Sequence, residues 1–194
     1  MSRPQQVTEK TRTRLPQEPT TAENSPQNVL DISRKIDTIK AEGKIITDGS
    51  HIKNGKLQPD VTYQTGEHEY IYQTNGDGLI EFVYAEDLQF KTHEGRLDHD
   101  PKTYGKLPGD HAGHLIADRF GGSPELDNLV SQAASVNQKT YRELEDLWAS
   151  AKKAGKKVSV GIAVNYESGS SRPISFDIVY KIDGVSKKTY ICNS

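Results

Sequence analysis

Gly109-Asp110-His111-Ala112-Gly113-His114-Leu115-Ile116-Ala117-Asp118-Arg119 is the stretch from which the rest of the chain is read. Residues 114–117 are a short apolar run that reads as a strand, and Gly121-Gly122-Ser123-Pro124 turns the chain behind it. Asn128-Leu129-Val130-Ser131-Gln132 reads as a second strand. Ser135-Val136-Asn137-Gln138 then fits a capping box, with Ser135 as N-cap and Gln138 at the third helical position. The helix it opens covers residues 136–153 and stops at Gly155, with Val136, Leu144, Leu147, Trp148 and Ala151 as its buried stripe. Strand, loop, strand and helix follow one another as a single unit.

Period-two patterning surrounds this unit. Residues 67–74 run into Asn75-Gly76-Asp77-Gly78, a hairpin turn, and the return strand over 79–90 carries Ile80, Phe82 and Tyr84 on one face. Residues 91–110, with Gly95, Pro101, Gly105, Pro108 and Gly109, read as a long ordered loop, and such loops are often functional. Val158, Val160, Ile162 and Val164 alternate, as do Ile174, Phe176, Ile178, Tyr180 and Ile182. Asp183-Gly184 turns into a last strand over 187–192. The expected class is α+β, an antiparallel sheet core carrying the strand-loop-strand-helix insert.

Residues 1–27 are rich in Pro, Gln, Thr and Glu and cannot bury enough surface to offset ordering entropy, so they are expected to be a disordered linker. Residues 28–54 are expected to be a short helix and a connector. Ser25 is its cap, Pro26 its first turn, Leu30, Ile32, Ile36 and Ile39 its apolar face, and Gly43 its end. Residues 55–194 form the main domain. The 194 residues are 33 % hydrophobic and carry a net charge of −2, so contact with nucleic acid would need a local basic patch. Cys192 is the single cysteine, which excludes an internal disulfide and a cysteine-rich zinc site. No run of 18 or more apolar residues occurs, arguing against a membrane span, and the first residues lack the apolar core of a signal peptide.

Two His, two Asp and an Arg fall within residues 110–119, beside glycines that allow close approach of a backbone or ligand. A histidine at a strand end is ordinarily a structural hydrogen-bonding group. The helix that follows changes the reading of His114. Asn137 and Glu145, eight residues apart, lie within about 80° of one another around an α-helix and flank its apolar stripe. Asn137 sits in the first turn, where free amides and the dipole favour an anion. Its amide oxygen is a hard neutral ligand suited to Mg²⁺. A second capping role for Asn137 and a solvated role for Glu145 remain open on these grounds.

Over about residues 55–194 the chain resembles the DNA/RNA non-specific endonucleases of the ββα-metal (His-Me finger) superfamily. The resemblance rests on residues 107–117, on residues 128–132, and on Asn137 with Tyr141 and Glu145. It implies that His114 is the general base, that Asn137 is the protein ligand of a hydrated Mg²⁺ (Mn²⁺ as substitute), and that Glu145 orients water of the metal's shell. It implies hydrolysis of DNA, or of RNA, to 5′-phosphate ends through backbone contacts with little base readout. Arg119, Lys106, Lys102 and Arg96 are the candidate phosphate contacts, and Asp110 and His111 the candidates for supporting the site from behind. The cluster Lys152, Lys153, Lys156 and Lys157 reads better as a solvated helix end.

The similarity is closest to nuclease toxin domains of LXG-type polymorphic toxins, which implies type VII export without a signal peptide as part of a larger effector. Action in a target-cell cytoplasm and a cognate immunity protein in the producer follow from the same resemblance. One departure stands out. Much of the superfamily has Asp-Arg-Gly-His where this chain has His111-Ala112-Gly113-His114, so the motif arginine is missing, and Arg119, Arg96 or Lys106 could stand in. Two rivals stay open: a zinc hydrolase built on His111, His114 and Asp118, and a non-enzymatic β-rich binding domain with structural histidines.

Overall fold

Alternating apolar residues give each strand two faces, and here both faces of the main sheet are covered. The computed structural model describes residues 26–99 and 101–194. In chain order it contains α1 (Pro26–Glu42), β1 (Ile45–Ile46), β2 (Ile52–Lys53), β3 (Lys56–Leu57), β4 (Thr62–Thr65), β5 (Tyr70–Thr74) and β6 (Ile80–Ala85). Then follow β7 (Asp110–His114), β8 (Leu129–Ala133), a π-helical turn (Val136–Thr140), α2 (Tyr141–Lys153), β9 (Val158–Tyr166), β10 (Pro173–Ile182) and β11 (Val185–Cys192). Seven strands join in the order β1-β4-β5-β6-β9-β10-β11, antiparallel throughout except β1 with β4. The pair β7-β8 is a separate antiparallel ribbon, and with α2 it forms the strand-strand-helix unit expected from the sequence.

That unit covers one face of the sheet. Trp148 meets Tyr180 edge to face at 5.8 Å, and Tyr141 meets Phe176 at 5.9 Å, both rings being fully buried. On the other face α1 lays Ile32, Ile36 and Ile39 over Phe82, Val179, Ile71 and Tyr84. Gly161 permits the approach, since a Cβ there would lie 2.9 Å from Ile32 Cγ2. Thus α1 covers the sheet, and β1 pairs with β4 within it. The Ser25 cap and residues 1–25 of the expected 1–27 linker lie outside the described residues, while Pro26 and Gln27 belong to α1. Among the described residues, no helix is long and apolar enough to cross a membrane.

Several local readings are corrected. The first strand of the unit is Asp110–His114, upstream of the apolar run at 114–117. Past His114 the run is a buried bend pinned by a side chain in place of a strand ladder. Asn128 Oδ1 accepts from Ile116 N at 2.9 Å, and its Nδ2 donates to the Ile116 and Ser123 carbonyls at 2.9 and 2.7 Å. No capping box forms: Ser135 is already helical, with φ −57 and ψ −42, and its hydroxyl reaches the Ser194 carbonyl at 3.4 Å. Leu147 is 40 % exposed, because it stands about 100° round the helix from Trp148, while Tyr141 and Ala149 are buried. Glu81 is an extra residue where β6 pairs with β5, so Ile80 joins the main core and Phe82 and Tyr84 the face under α1. The return strand ends at Ala85, since Asp87 leaves the sheet to accept from Val158 N at 2.9 Å and from Lys152.

Candidate active site

His114 ends β7 at the wall of a cleft of about 940 Å³ between the 91–110 loop and the start of the helix. Its residue is 8 % exposed, and the His99 ring meets it edge to face at 5.2 Å. Burial, with His99 and Arg96 adding repulsion and Asp118 opposing, lowers its pKa to about 4. The imidazole is therefore neutral at physiological pH, the form a general base needs. Facing it from the helix are Asn137 and Glu145, which line the same cleft. Burial raises Glu145 to about 7 against the pull of Arg119, Arg142 and Arg96.

Asn137 lies in the π-helical turn, a device found frequently at functional positions. Its Nδ2 is 3.1 Å from His111 Nδ1, so the amide donates and the ring accepts. The opposed end of the amide, Oδ1, has no hydrogen bond among the described residues. That is the hard neutral oxygen a hydrated Mg²⁺ takes, so the donor chemistry fits a cation held by one protein ligand and water. Among the described residues, no group of three or more His, Cys, Asp or Glu is placed to hold a metal ion.

The remaining sequence candidates separate. Asp110 forms a two-pronged ion pair with Arg172, at 2.7 and 2.9 Å, and the guanidinium holds its carboxyl below the usual range. This pair ties β7 to the start of β10. Arg119 lines the cleft but is bound to Asp146, and Lys106 Nζ donates to the Pro101 carbonyl at 2.7 Å. Arg96 lines the cleft from the loop, and Lys102 does not line it. Lys152 is used structurally, paired with Asp87 at 2.9 Å. Sequence reasoning missed Arg172, His99 and Arg142. Arg142 stands three residues before Glu145 on the helix, a spacing that could have found it. Arg172 and His99 carry no local signal.

The model of the DNA/RNA non-specific endonuclease family matches residues 59–184, which include both strands and the helix of the unit. The chain belongs to this family. It carries a nuclease domain, and the ribbon β7-β8 with α2 is its ββα motif. The chain is also similar to the type VII secretion system protein EssD of Staphylococcus aureus strains USA300 and NCTC 8325. The identity is 32 % over 192 residues, covering 82 % of this chain and 31 % of the relatives. The chain thus matches about a third of the length of those curated relatives. Ala112 stands where the resemblance leads one to expect an arginine, and the ring of the neighbouring His111 accepts from Asn137.

Proposed function

We propose that the chain is a Mg²⁺-dependent endonuclease that cleaves DNA, with RNA as the alternative, and acts as the toxic module of a longer effector. The observation that carries the enzymatic reading is the convergence of a buried neutral His114 with Asn137 and Glu145 on one cleft. His114 takes a proton from the water that attacks phosphorus in line. Glu145, with its pKa near neutrality, hydrogen-bonds and orients water across the cleft. Asn137, fixed by His111, presents its amide oxygen as the ligand for Mg²⁺ or its substitute Mn²⁺. When bound, the cation supplies positive charge where the phosphate and the leaving oxygen become more negative. Contacts from the cleft's basic side chains to phosphates carry no base readout, hence sequence tolerance.

Similarity to a type VII secretion protein supports export through such a system, action in a target-cell cytoplasm, and a cognate immunity protein that covers this cleft in the producer. The test is nicking of supercoiled plasmid by purified protein with Mg²⁺, with EDTA, and by His114→Ala with Mg²⁺. Metal-dependent cleavage that falls at least ~100-fold in the variant is expected. An intact plasmid with folded, inhibitor-free protein sinks the reading and advances the binding-domain rival.

A further inference from the structure

Four basic side chains other than histidine line the cleft: Arg96, Lys106, Arg119 and Arg142. Arg119 is neutralised by Asp146, and Lys106 is turned to a backbone carbonyl. Arg96 and Arg142 have no ion pair among the described residues. Arg142 acts electrostatically on Glu145, whereas Arg96 acts on both Glu145 and His114, so its charge is felt at both groups.

Arg96 sits in an exposed loop, where a long side chain would ordinarily be mobile. Its two chain neighbours are fastened instead. Leu97 N donates to Asp118 Oδ1 at 3.2 Å, and the Gly95 carbonyl accepts from Lys91 Nζ, which also binds Asp118 Oδ2 at 2.7 Å. His93 completes the clamp, with Nε2 3.1 Å from Asp118 Oδ1 and Nδ1 on Glu67 Oε1. Glu67 Oε2 in turn accepts from Thr92 N and Oγ1, at 2.6 and 2.8 Å. Asp118 follows His114 by four residues in the same wall. The loop is thereby referenced to the strand that bears His114.

We propose that Arg96 is the group that grips the scissile phosphate in place of the missing motif arginine, and that Asp118, His93, Glu67 and Lys91 are a clamp that positions it. This rests on the nuclease reading for the identity of the phosphate, and binding and cleavage test the two separately. Binding of a short duplex oligonucleotide to the full chain in EDTA is measured against salt, for wild type, Arg96→Ala, Arg96→Lys, His93→Gln and Glu67→Gln. Plasmid nicking in Mg²⁺ is measured for the same set. Loss of one phosphate contact lowers the slope of log K against log salt by about 0.9, so Arg96→Ala is expected to lose that much and Arg96→Lys to keep it.

Both clamp variants are expected to lose part of the slope and to speed proteolysis within 91–99, with the melting temperature little changed. Glu67→Gln breaks the clamp from the sheet side, should His93→Gln fold poorly. An Arg96→Ala protein with unchanged slope overturns the assignment, whether or not wild type nicks plasmid. An altered slope in Arg96→Ala with no nicking by wild type leaves the phosphate contact standing and removes the nuclease reading. Clamp variants that bind and cleave as wild type does overturn the positioning role.

Discussion

His111 and Asn137 show how much one hydrogen bond decides at a single residue. An asparagine amide has an oxygen end and a nitrogen end of nearly equal shape, and only its partner selects which end faces a ligand. With His111 Nδ1 as acceptor, the nitrogen is taken and the oxygen is left for a cation. Removing such a supporting partner typically costs 10–100-fold in metal affinity. His111→Ala is expected to weaken Mg²⁺ binding by about 10-fold or more on that ground, read by calorimetry without nucleic acid, and Asn137→Ala to abolish it. Unchanged affinity in His111→Ala would show that the link is incidental.

Two residues also make metal-free stability depend on pH in opposite senses. His114 is lowered from 6.5 to about 4, so the unfolded chain binds its proton first and stability is lost as pH falls through that interval. Glu145 is raised from 4.5 to about 7, so the unfolded chain releases its proton first and stability is lost as pH rises between those values. Glu145→Gln is therefore expected to stabilise the metal-free protein by about 1–2 kcal/mol above pH 7 and not below 4.5, read by thermal melts. Equal effects at both pH values would refute the burial account.

At the scale of elements, the link between β7 and β8 depends on Asn128 as well as on the turn glycines Gly121 and Gly122 that signalled it. Asn128 is wholly buried and binds Ile116 at both N and O, the Ser123 carbonyl, and Tyr72 OH at 2.8 Å. Asn128→Ala leaves those buried groups unpaired, and a loss of roughly 3 kcal/mol or more in denaturant unfolding is expected. Gly113 serves the same ribbon differently. A Cβ there would lie 2.3 Å from Gln132 Cδ on the neighbouring strand, and Gln132 is fully buried. Gly113→Ala should cost about 1–3 kcal/mol by overpacking. Combined with Gln132→Ala it should cost less than the sum of the single changes. Additive effects would mean that the two positions do not meet.

At the scale of the molecule, the sheet is held between α1 and the ββα unit, and the cleft belongs to one side only. Ile39, on the face of α1 that meets the sheet, is buried at 4 % exposure. Ile39→Ala is expected to lower stability by about 2–4 kcal/mol while leaving plasmid cleavage by the folded protein unchanged. A matching loss of cleavage at temperatures where the variant is folded would tie the far face to the site. The sequence by itself determined the α+β class, the sheet hairpins, the strand-strand-helix order, and His114, Asn137 and Glu145 as the residues to watch. The fold signals are local, turn residues and a period of two or of 3.6, and the three site residues came from a resemblance carried by residues 107–117, 128–132, Asn137, Tyr141 and Glu145. Only the tertiary structure decided which polar partners meet. Arg172 finds Asp110 and His93 finds Asp118 and Glu67 across the chain, and His111 finds Asn137 across the ribbon and the helix start. A hydrogen bond between residues distant in sequence leaves no period and no spacing for a linear reading to detect, because folding alone brings its two ends within reach.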